Sequence, residues 1–166
     1  MSAGSFVAIA LMAFAVMESV TYAVHRWVMH GPGMAWHASH HRPRRGRFER
    51  NDLFPVCFGM LTVAVLFTGT AVPALAVLLP VGTGITAYGV AYLVVHDLYA
   101  HRRFVRLPRG LPVLERLAAA HRVHHRSSGE PYGFLVPVGF AGRGVRRSRG
   151  PAVEGSDREG PADQDD

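Results

Sequence analysis

The sequence predicts an all-α integral membrane protein with about three transmembrane helices and a helical cap on one side of the membrane. The main observation is an apolar run from Leu53 to Val95, which holds 43 consecutive residues without Asp, Glu, Lys, Arg or His. As a helix this run would be about 65 Å long, roughly twice the hydrocarbon thickness of a bilayer. A soluble domain of 166 residues has no core that could bury it. A disulfide scaffold is excluded as well, because Cys57 is the single cysteine.

Three apolar segments account for the predicted spans, and they cover approximately residues 5–24, 53–70 and 74–95. The first carries a single charge, Glu18, and no basic segment precedes it as one would in a signal peptide, so we expect a retained helix. Gly69 and Pro73 bracket the predicted turn between the other two. Glycine and proline residues interrupt the last segment, and a break at residues 80–84 would give a fourth helix.

The arginines orient the spans. Residues 26–50 contain six Arg and residues 102–126 contain seven, whereas the predicted spans contain none. The two basic segments lie at the two ends of a hairpin and therefore emerge on the same side. The positive-inside rule makes this the cytoplasmic side of the plasma membrane. We expect a membrane-embedded domain at residues 1–141, with cytoplasmic segments at 25–52 and 96–141.

The basic surface also predicts the kind of partner. Residues 1–141 hold 13 Arg and 6 acidic residues. Anionic lipid head groups are the default partner of such a surface, and an acidic protein is the more specific one. Nucleic acid is disfavoured, because the basic segments border the spans. Residues 142–166 are rich in Gly, Arg, Pro, Ser and acidic residues, and this composition predicts a disordered tail.

All ten histidines belong to a repeat, His-x4-His followed by His-x2-His-His, which occurs once before the hairpin and once after it. The first copy consists of His25, His30, His37, His40 and His41, and the second of His96, His101, His121, His124 and His125. The parity of the spans puts both copies at the same membrane face, where their side chains can converge.

Helix geometry explains part of this spacing. Side chains at i, i+3 and i+4 share one face of a helix, so we expect the His-x2-His-His triplets to lie on helices. Before the second triplet, Pro112 suits a first turn, and the apolar face of the helix continues into the histidines. Residues five apart point about 140° away from each other on an α-helix. We therefore expect the helix to end or bulge before His30 and before His101.

Such a concentration of imidazoles indicates metal binding. A single histidine at the end of a span is usually an interfacial residue, but two clustered copies at one face are hard to explain in that way. A structural zinc site needs about four ligands, so ten histidines indicate two ions. Iron is the natural choice for oxygen chemistry, although the affinity order alone favours zinc or copper over Fe(II). The cap is thus expected to carry a histidine-rich di-metal site.

Several carboxylates and aromatic residues accompany the histidines. Asp97, Glu49 and Asp52 could orient a ligand imidazole or pair with an arginine such as Arg50 or Arg102, and both alternatives stay open. Glu18 is an ionisable group inside a span and lies seven residues before His25, so a role outside the ligand sphere is expected. The aromatic residues near the span ends are best explained as an interfacial belt, with some lining a substrate groove. They are Tyr22, Trp27, Trp36, Tyr88, Tyr92 and Tyr99.

The sequence resembles the membrane-bound fatty acid hydroxylase/sterol desaturase superfamily, and within it the bacterial β-carotene hydroxylases. The resemblance covers essentially Val24–Pro137. The matching stretches are MHGPGMAWHASHHRPRRGRFERNDLFPV (Met29–Val56), ITAYGVAYLVVHD (Ile85–Asp97), LERLAAAHRVHH (Leu114–His125) and YGFLVP (Tyr132–Pro137). No histidine of the family pattern is missing.

The resemblance implies a non-haem di-iron monooxygenase of carotenoid biosynthesis. Members hydroxylate the β-ionone rings of β-carotene at carbon 3, giving β-cryptoxanthin and then zeaxanthin, with O2 and electrons from a reduced ferredoxin. It also implies that all ten histidines form the iron site. The substrate would come from the bilayer of the bacterial inner membrane, and the active site would face the cytoplasm.

Three rival functions would also use histidines in a membrane protein. A fatty acid or sterol hydroxylase or desaturase would share the same metal core, and the histidines do not separate it from a carotenoid enzyme. A zinc membrane hydrolase lacks support because the sequence contains no His-Glu-x-x-His motif. A haem or metal-carrier membrane protein usually holds its histidines within the spans, whereas these lie at the span ends.

Overall fold

The structure is a computed structural model that describes residues 1–43 and 46–140. Every regular element in these residues is helical. The α-helices are α1 (Ala3–Ala23), α2 (Met34–His37), α3 (Leu53–Ala71), α4 (Leu78–Tyr92) and α5 (Pro112–Ser127). Helices α1 and α4 continue as π-helical segments, Val24–Met29 and Leu93–Ala100, and short 3-10 turns occupy Arg50–Asp52 and Pro73–Leu75. The all-helical prediction is confirmed, while the predicted tail at 142–166 lies outside the described residues.

Three helices are long and apolar enough to cross a membrane, namely Ala3–Met29, Arg50–Ala71 and Leu78–Ala100. The turn of the hairpin lies where Gly69 and Pro73 predicted it, but the third span begins at Leu78 rather than at 74. Residues 80–84 do not break this helix, so the described residues contain no fourth span. Pro80 lies in the first turn of α4, where its missing N–H would have no helical partner.

Small residues allow the spans to pack closely. A side chain at Gly84 would clash with the carbonyl oxygen of Ala10 in α1 and lie 2.8 Å from the Cβ of Ala13. On another side of α4, a Cβ at Gly82 would lie 2.6 Å from Cδ2 of Leu66 in α3. Close approach at glycine is typical of helices packed in membranes, where dispersion contacts provide much of the attraction. Helix α4 thus packs against both α1 and α3, and its π-helical continuation carries His96, the first residue of the second histidine copy.

Candidate metal centre

The two π-helical segments place the His-x4-His pairs. The backbone N–H of His30 donates to the carbonyl of His25 at 3.1 Å, and that of His101 donates to the carbonyl of His96 at 2.9 Å. These i→i+5 hydrogen bonds widen the turn by one residue and bring the paired rings to the same side of the helix. Their ring centroids are 5.2 Å apart in the first pair and 4.6 Å apart in the second. The expected bulges are confirmed in both copies.

The two triplets are positioned differently. Helix α5 carries His121, His124 and His125 as predicted, with Pro112 in its first turn. Helix α2 ends at His37, so the prediction of one helix through the first triplet is wrong. The hydroxyl of Ser39 donates to the carbonyl of Trp36 and accepts the backbone N–H of Asn51, which holds the following residues in a turn. A serine hydroxyl that bonds nearby backbone competes with the helix in this way.

The histidines gather into two groups, and in each the candidate ligand nitrogens all lie within 4.8 Å of one another. The first histidine group contains His25, His30, His37, His41 and His124, and the second contains His40, His96, His101 and His121. Each group therefore receives one member from the other sequence copy, since His124 joins the first and His40 the second. His125 lies outside both sets, but its Nε2 is 2.9 Å from Nε2 of His121. The expected convergence of the two copies is confirmed.

Neutral acceptors hold the outer nitrogens of the first group. His25 Nδ1 donates to the carbonyl of Tyr132 at 2.9 Å, and His124 Nδ1 donates to the carbonyl of Gly129 at 2.6 Å. His37 Nδ1 donates to Oδ1 of Asn51 at 2.7 Å. These oxygens can only accept, so each ring carries its proton on Nδ1 and presents the lone pair of Nε2 to the group.

Carboxylates hold the outer nitrogens in the second group. His40 Nδ1 donates to Glu49 at 3.0 Å, and His96 Nδ1 donates to Asp97 at 3.1 Å. Of the two alternatives left open for Asp97, both are realised, because its Oδ1 also accepts from Arg103 at 3.1 Å. Orienting partners of this kind are typical of metal-binding histidines.

The inner nitrogens face one another too closely for a site without a cation. Nε2 of His25 lies 3.3 Å from Nε2 of His37, and Nε2 of His40 lies 3.1 Å from Nε2 of His96. In all four rings Nδ1 holds the proton, so these contacts bring two lone pairs together and cannot be hydrogen bonds. A metal ion between the nitrogens removes the repulsion, and imidazole nitrogen suits iron, copper and zinc. The donor set therefore fits a pair of transition-metal ions.

Protonation is a poor alternative to metal binding. Burial lowers the pKa of His37 to about 3 and the pKa of His124 to about 4. Burial, followed by the nearby His101, also lowers the pKa of His121 well below its ordinary value. These imidazoles are consequently neutral near pH 7, which is the state in which they bind metals.

Arg103 joins the acidic residues behind the second group. Its guanidinium donates to both carboxylate oxygens of Asp52 at 2.7 Å. Asp52 in turn accepts the backbone N–H of Glu49 at 2.9 Å. Asp52 therefore acts on the histidines through Glu49 and Arg103. The arginine that pairs with Asp52 and Asp97 is Arg103, so the prediction of Arg50 or Arg102 is wrong. The hydrogen bond to Asp52 is the main cause of a raised pKa of Arg103.

Glu18 holds a loop rather than a histidine. Its carboxylate accepts the backbone N–H groups of Phe134 at 2.9 Å, Leu135 at 3.1 Å and Val136 at 2.9 Å, and the hydroxyl of Tyr88 at 2.7 Å. Phe134 stacks on the ring of His25, with centroids 5.1 Å apart. The influence of Glu18 on the centre thus passes through Phe134.

Sequence reasoning missed five residues that contact the histidines or their supports. They are Asn51, Arg103, Gly129, Tyr132 and Phe134. Phe134 lies in the YGFLVP stretch, which carried the resemblance without an assigned role. Asn51 lies beside Asp52, and Arg103 lies beside Arg102, but nothing in the spacing of Asn51 or Arg103 distinguishes them. Tyr88 and Tyr92, assigned to an interfacial belt or a groove, line an apolar cavity of about 510 Å³ between the spans.

Comparison with known proteins finds a matching family and similar sequences. The sequence model of the family described as "Fatty acid hydroxylase" matches residues 10–139. A "Beta-carotene hydroxylase" of Pseudescherichia vulneris is 41% identical over 133 residues, which are 76% of this chain and 74% of the relative. One from Pantoea ananas is 42% identical over 125 residues, which are 72% and 70% of the two chains. No solved structure is significantly similar to this chain.

Proposed function

This chain belongs to the fatty acid hydroxylase family, and from that premise we propose that it is a β-carotene 3-hydroxylase of a bacterial inner membrane. The observation that carries the proposal is the identity of 41–42% to proteins named β-carotene hydroxylase over about three quarters of the chain. The two groups of converging nitrogens support it, because the reaction needs a metal centre. The products would be β-cryptoxanthin and then zeaxanthin.

The reaction inserts one oxygen atom of O2 into a C–H bond at carbon 3 of the ring and reduces the other atom to water with two electrons and two protons. An unactivated C–H bond has no acidic proton and no leaving group, so acid–base or nucleophilic residues alone do not break it. Two non-haem iron ions, when bound, supply the oxygen activation and the oxidising power. We propose no catalytic residue beyond the metal site.

We assign the ten histidines as ligands according to the groups. His25, His30, His37, His41 and His124 would hold one ion. His40, His96, His101 and His121 would hold the other, together with His125. The chain's own contribution is orientation: Tyr132, Asn51, Gly129, Glu49 and Asp97 accept the outer N–H groups and aim the inner nitrogens.

Electrons would come from a reduced ferredoxin on the cytoplasmic side. The arginine-rich segments at 26–50 and 102–126 flank the same histidine groups, and their charge suits an acidic protein. This attraction should weaken as salt rises, since the Debye length falls to about 8 Å at physiological ionic strength. A second cavity, lined in part by His101, His125 and Glu49, lies beside the histidine groups.

Expression in a β-carotene-accumulating bacterium tests the proposal. We expect β-cryptoxanthin and zeaxanthin in the pigment extract, resolved by chromatography, and iron at about two ions per purified chain, as two groups of ligands require. A well-inserted protein that forms no 3-hydroxylated pigment would contradict the assignment. Hydroxylated fatty acids or sterols in the same extract would then favour the rival substrate class.

A further inference from the structure

The apolar cavity between α1, α3 and α4 runs along the spans toward the histidines. Its volume of about 510 Å³ is within the range of about 300–1,000 Å³ that is common for ligand sites. Its α3 wall extends from Phe54 to Leu66, and the twelve residue-to-residue steps between them span about 18 Å of helix. This is more than half of a hydrocarbon core of about 30 Å. The cavity therefore suits an elongated ligand that lies along the helices.

Two glycines leave room for such a ligand. Gly59 on α3 and Gly89 on α4 both line the cavity, and a Cβ added at either one meets no atom within 4 Å. Nearer the turn of the hairpin the situation is reversed, since a Cβ at Gly69 would lie 3.0 Å from the backbone nitrogen of Leu79. The two helices are thus in close contact near their turn and leave space near the histidines.

The polar groups of the cavity wall are already hydrogen-bonded within the protein. The hydroxyls of Thr62 and Thr86 donate to the carbonyls of Phe58 and Gly82 at 2.8 Å. The hydroxyl of Thr21 bonds the carbonyl of Met17 at 2.9 Å, and that of Tyr88 bonds Glu18 at 2.7 Å. No charged side chain lines this cavity among the described residues. A carboxylate or hydroxyl head group would therefore lose its hydration without compensation, which favours an unsubstituted hydrocarbon.

Two aromatic rings separate the cavity from the histidines. Phe134 and Tyr92 both line it and meet edge to face, with centroids 4.7 Å apart. Tyr92 stacks on His96 of the second group at 4.6 Å. Phe134 stacks on His25 of the first group at 5.1 Å and also contacts His96 at 5.3 Å. A ligand that reaches the end of the cavity thus meets the ring of Phe134, which contacts both groups.

Glu18 fixes this ring in place. Three consecutive backbone N–H groups, from Phe134 to Val136, donate to its carboxylate. Such charge-assisted hydrogen bonds are roughly twice as strong as neutral ones. Phe134 itself is 9% exposed. The position of Phe134 is therefore fixed by Glu18 of α1 as well as by the loop itself.

We infer that this cavity binds one end of an unsubstituted hydrocarbon taken from the bilayer, and that Phe134, held by Glu18, is the positioning residue that determines which ring carbon reaches the metal centre. The inference rests on the proposed function. It adds where the substrate binds and which of its ring carbons faces the metal centre. The cavity selects hydrocarbon over head-group lipids, and Phe134 sets how far the ring advances.

Cavity-filling variants test the binding site. Gly59→Leu and Gly89→Leu place a large side chain in open space, whereas Ala64→Leu adds one on an exposed part of α3 that does not line the cavity. When β-carotene is added to the purified, iron-loaded protein without an electron donor, no turnover occurs, and binding in a chiral cavity induces a circular dichroism band in the visible range. We expect this band for the parent and Ala64→Leu and its loss in both glycine variants. A band of parental size in both glycine variants overturns the inference.

Product analysis tests the positioning role. We expect Phe134→Ala and Glu18→Gln to shift hydroxylation from carbon 3 to neighbouring ring carbons, because a displacement of about 1 Å can cost about 100-fold at the intended atom. Val138→Ala, exposed in the same loop, should form only the 3-hydroxylated products. Exclusive 3-hydroxylation at a reduced rate by both variants, with parental iron content, overturns the positioning role. If the parent itself forms no hydroxylated carotenoid, the proposed function fails, which is a separate result.

Discussion

The two histidine groups are built on opposite kinds of support. In the first group, the Nδ1 protons of His25 and His124 go to the backbone carbonyls of Tyr132 and Gly129, and that of His37 goes to the amide oxygen of Asn51. In the second group, the acceptors are the carboxylates of Glu49 and Asp97. The inner nitrogens are similarly close in both, at 3.3 Å in the first group and 3.1 Å in the second.

This difference would make the two proposed metal positions chemically unequal. A carboxylate acceptor raises the basicity of an imidazole more than a neutral carbonyl does, and it adds negative charge near the ion. Arg103 offsets part of that charge through Asp97 and Asp52. We therefore expect the second group to bind its ion more tightly than the first.

The largest loss of activity should come from replacing His124 or His40, the two histidines that join the group formed mainly by the other sequence copy. His124→Ala removes one ligand from the first group, and His40→Ala removes one from the second. We expect each variant to lose nearly all hydroxylation and to fall from about two iron ions per chain to about one, because each group is proposed to hold one ion. Iron analysis together with pigment analysis measures this. Val123→Ala on the exposed side of α5 is the control, and two retained irons in either histidine variant would contradict the grouping.

The spans and the turn between them could be predicted because membrane insertion depends on composition over about 20 consecutive residues. The π-helical bulges were also predictable, since the spacing between His25 and His30 conflicts with a regular α-helix. The bounds were less certain: Leu78 begins α4 because residues 73–77 complete the turn. Local sequence therefore determined the scaffold of the molecule.

The exchange of histidines could not be predicted from the repeat. Two similar copies suggest two self-contained sites, but only tertiary packing places His40 beside His96 at 3.1 Å and His124 beside His30 at 3.1 Å. The end of α2 at His37 has the same origin, because Ser39 bonds Asn51 twelve residues later. A hydrogen-bond acceptor such as Asn51 can be recognised only when the position of its donor, the ring of His37, is known.

Arg103→Ala should have the next largest effect, on the second group alone. Its side chain is 3% exposed and pairs with Asp52 and Asp97. Breaking a buried ion pair by removing one partner typically costs about 3–5 kcal/mol, because the remaining charges stay buried. We expect a clearly lower thermal midpoint in detergent. Arg109→Ala is the control, since its pair with Glu115 is partly exposed and such pairs contribute about 1 kcal/mol or less. Equal midpoints in the two variants would contradict the prediction.

Asp97→Asn and Glu49→Gln sharpen the comparison further. Each replaces a carboxylate acceptor by an amide, so the second group comes to resemble the first. Loss of an orienting partner typically weakens metal binding about 10–100-fold, and we expect a weakening in this range for one of the two ions. Iron retained during dialysis against increasing chelator concentrations measures it. If the parent releases its iron in two phases and the variants release theirs in one, the two sites are unequal in the parent. Release of iron in a single phase from the parent would contradict unequal sites.

The smallest effect is expected from the reverse change, Asn51→Asp, which gives the first group a carboxylate. Asn51 is 2% exposed, so burying a charge there costs free energy in the metal-free protein. With the ion bound, the same charge strengthens His37 as a ligand through their 2.7 Å contact.

The two effects oppose each other, and we expect iron affinity to rise by less than about tenfold, below the range for losing a partner. We also expect the metal-free variant to unfold at a lower temperature than the metal-free parent. Chelator titration and paired thermal scans separate the two effects, and weaker iron binding than in the parent would mean that acceptor charge does not control the difference between the groups.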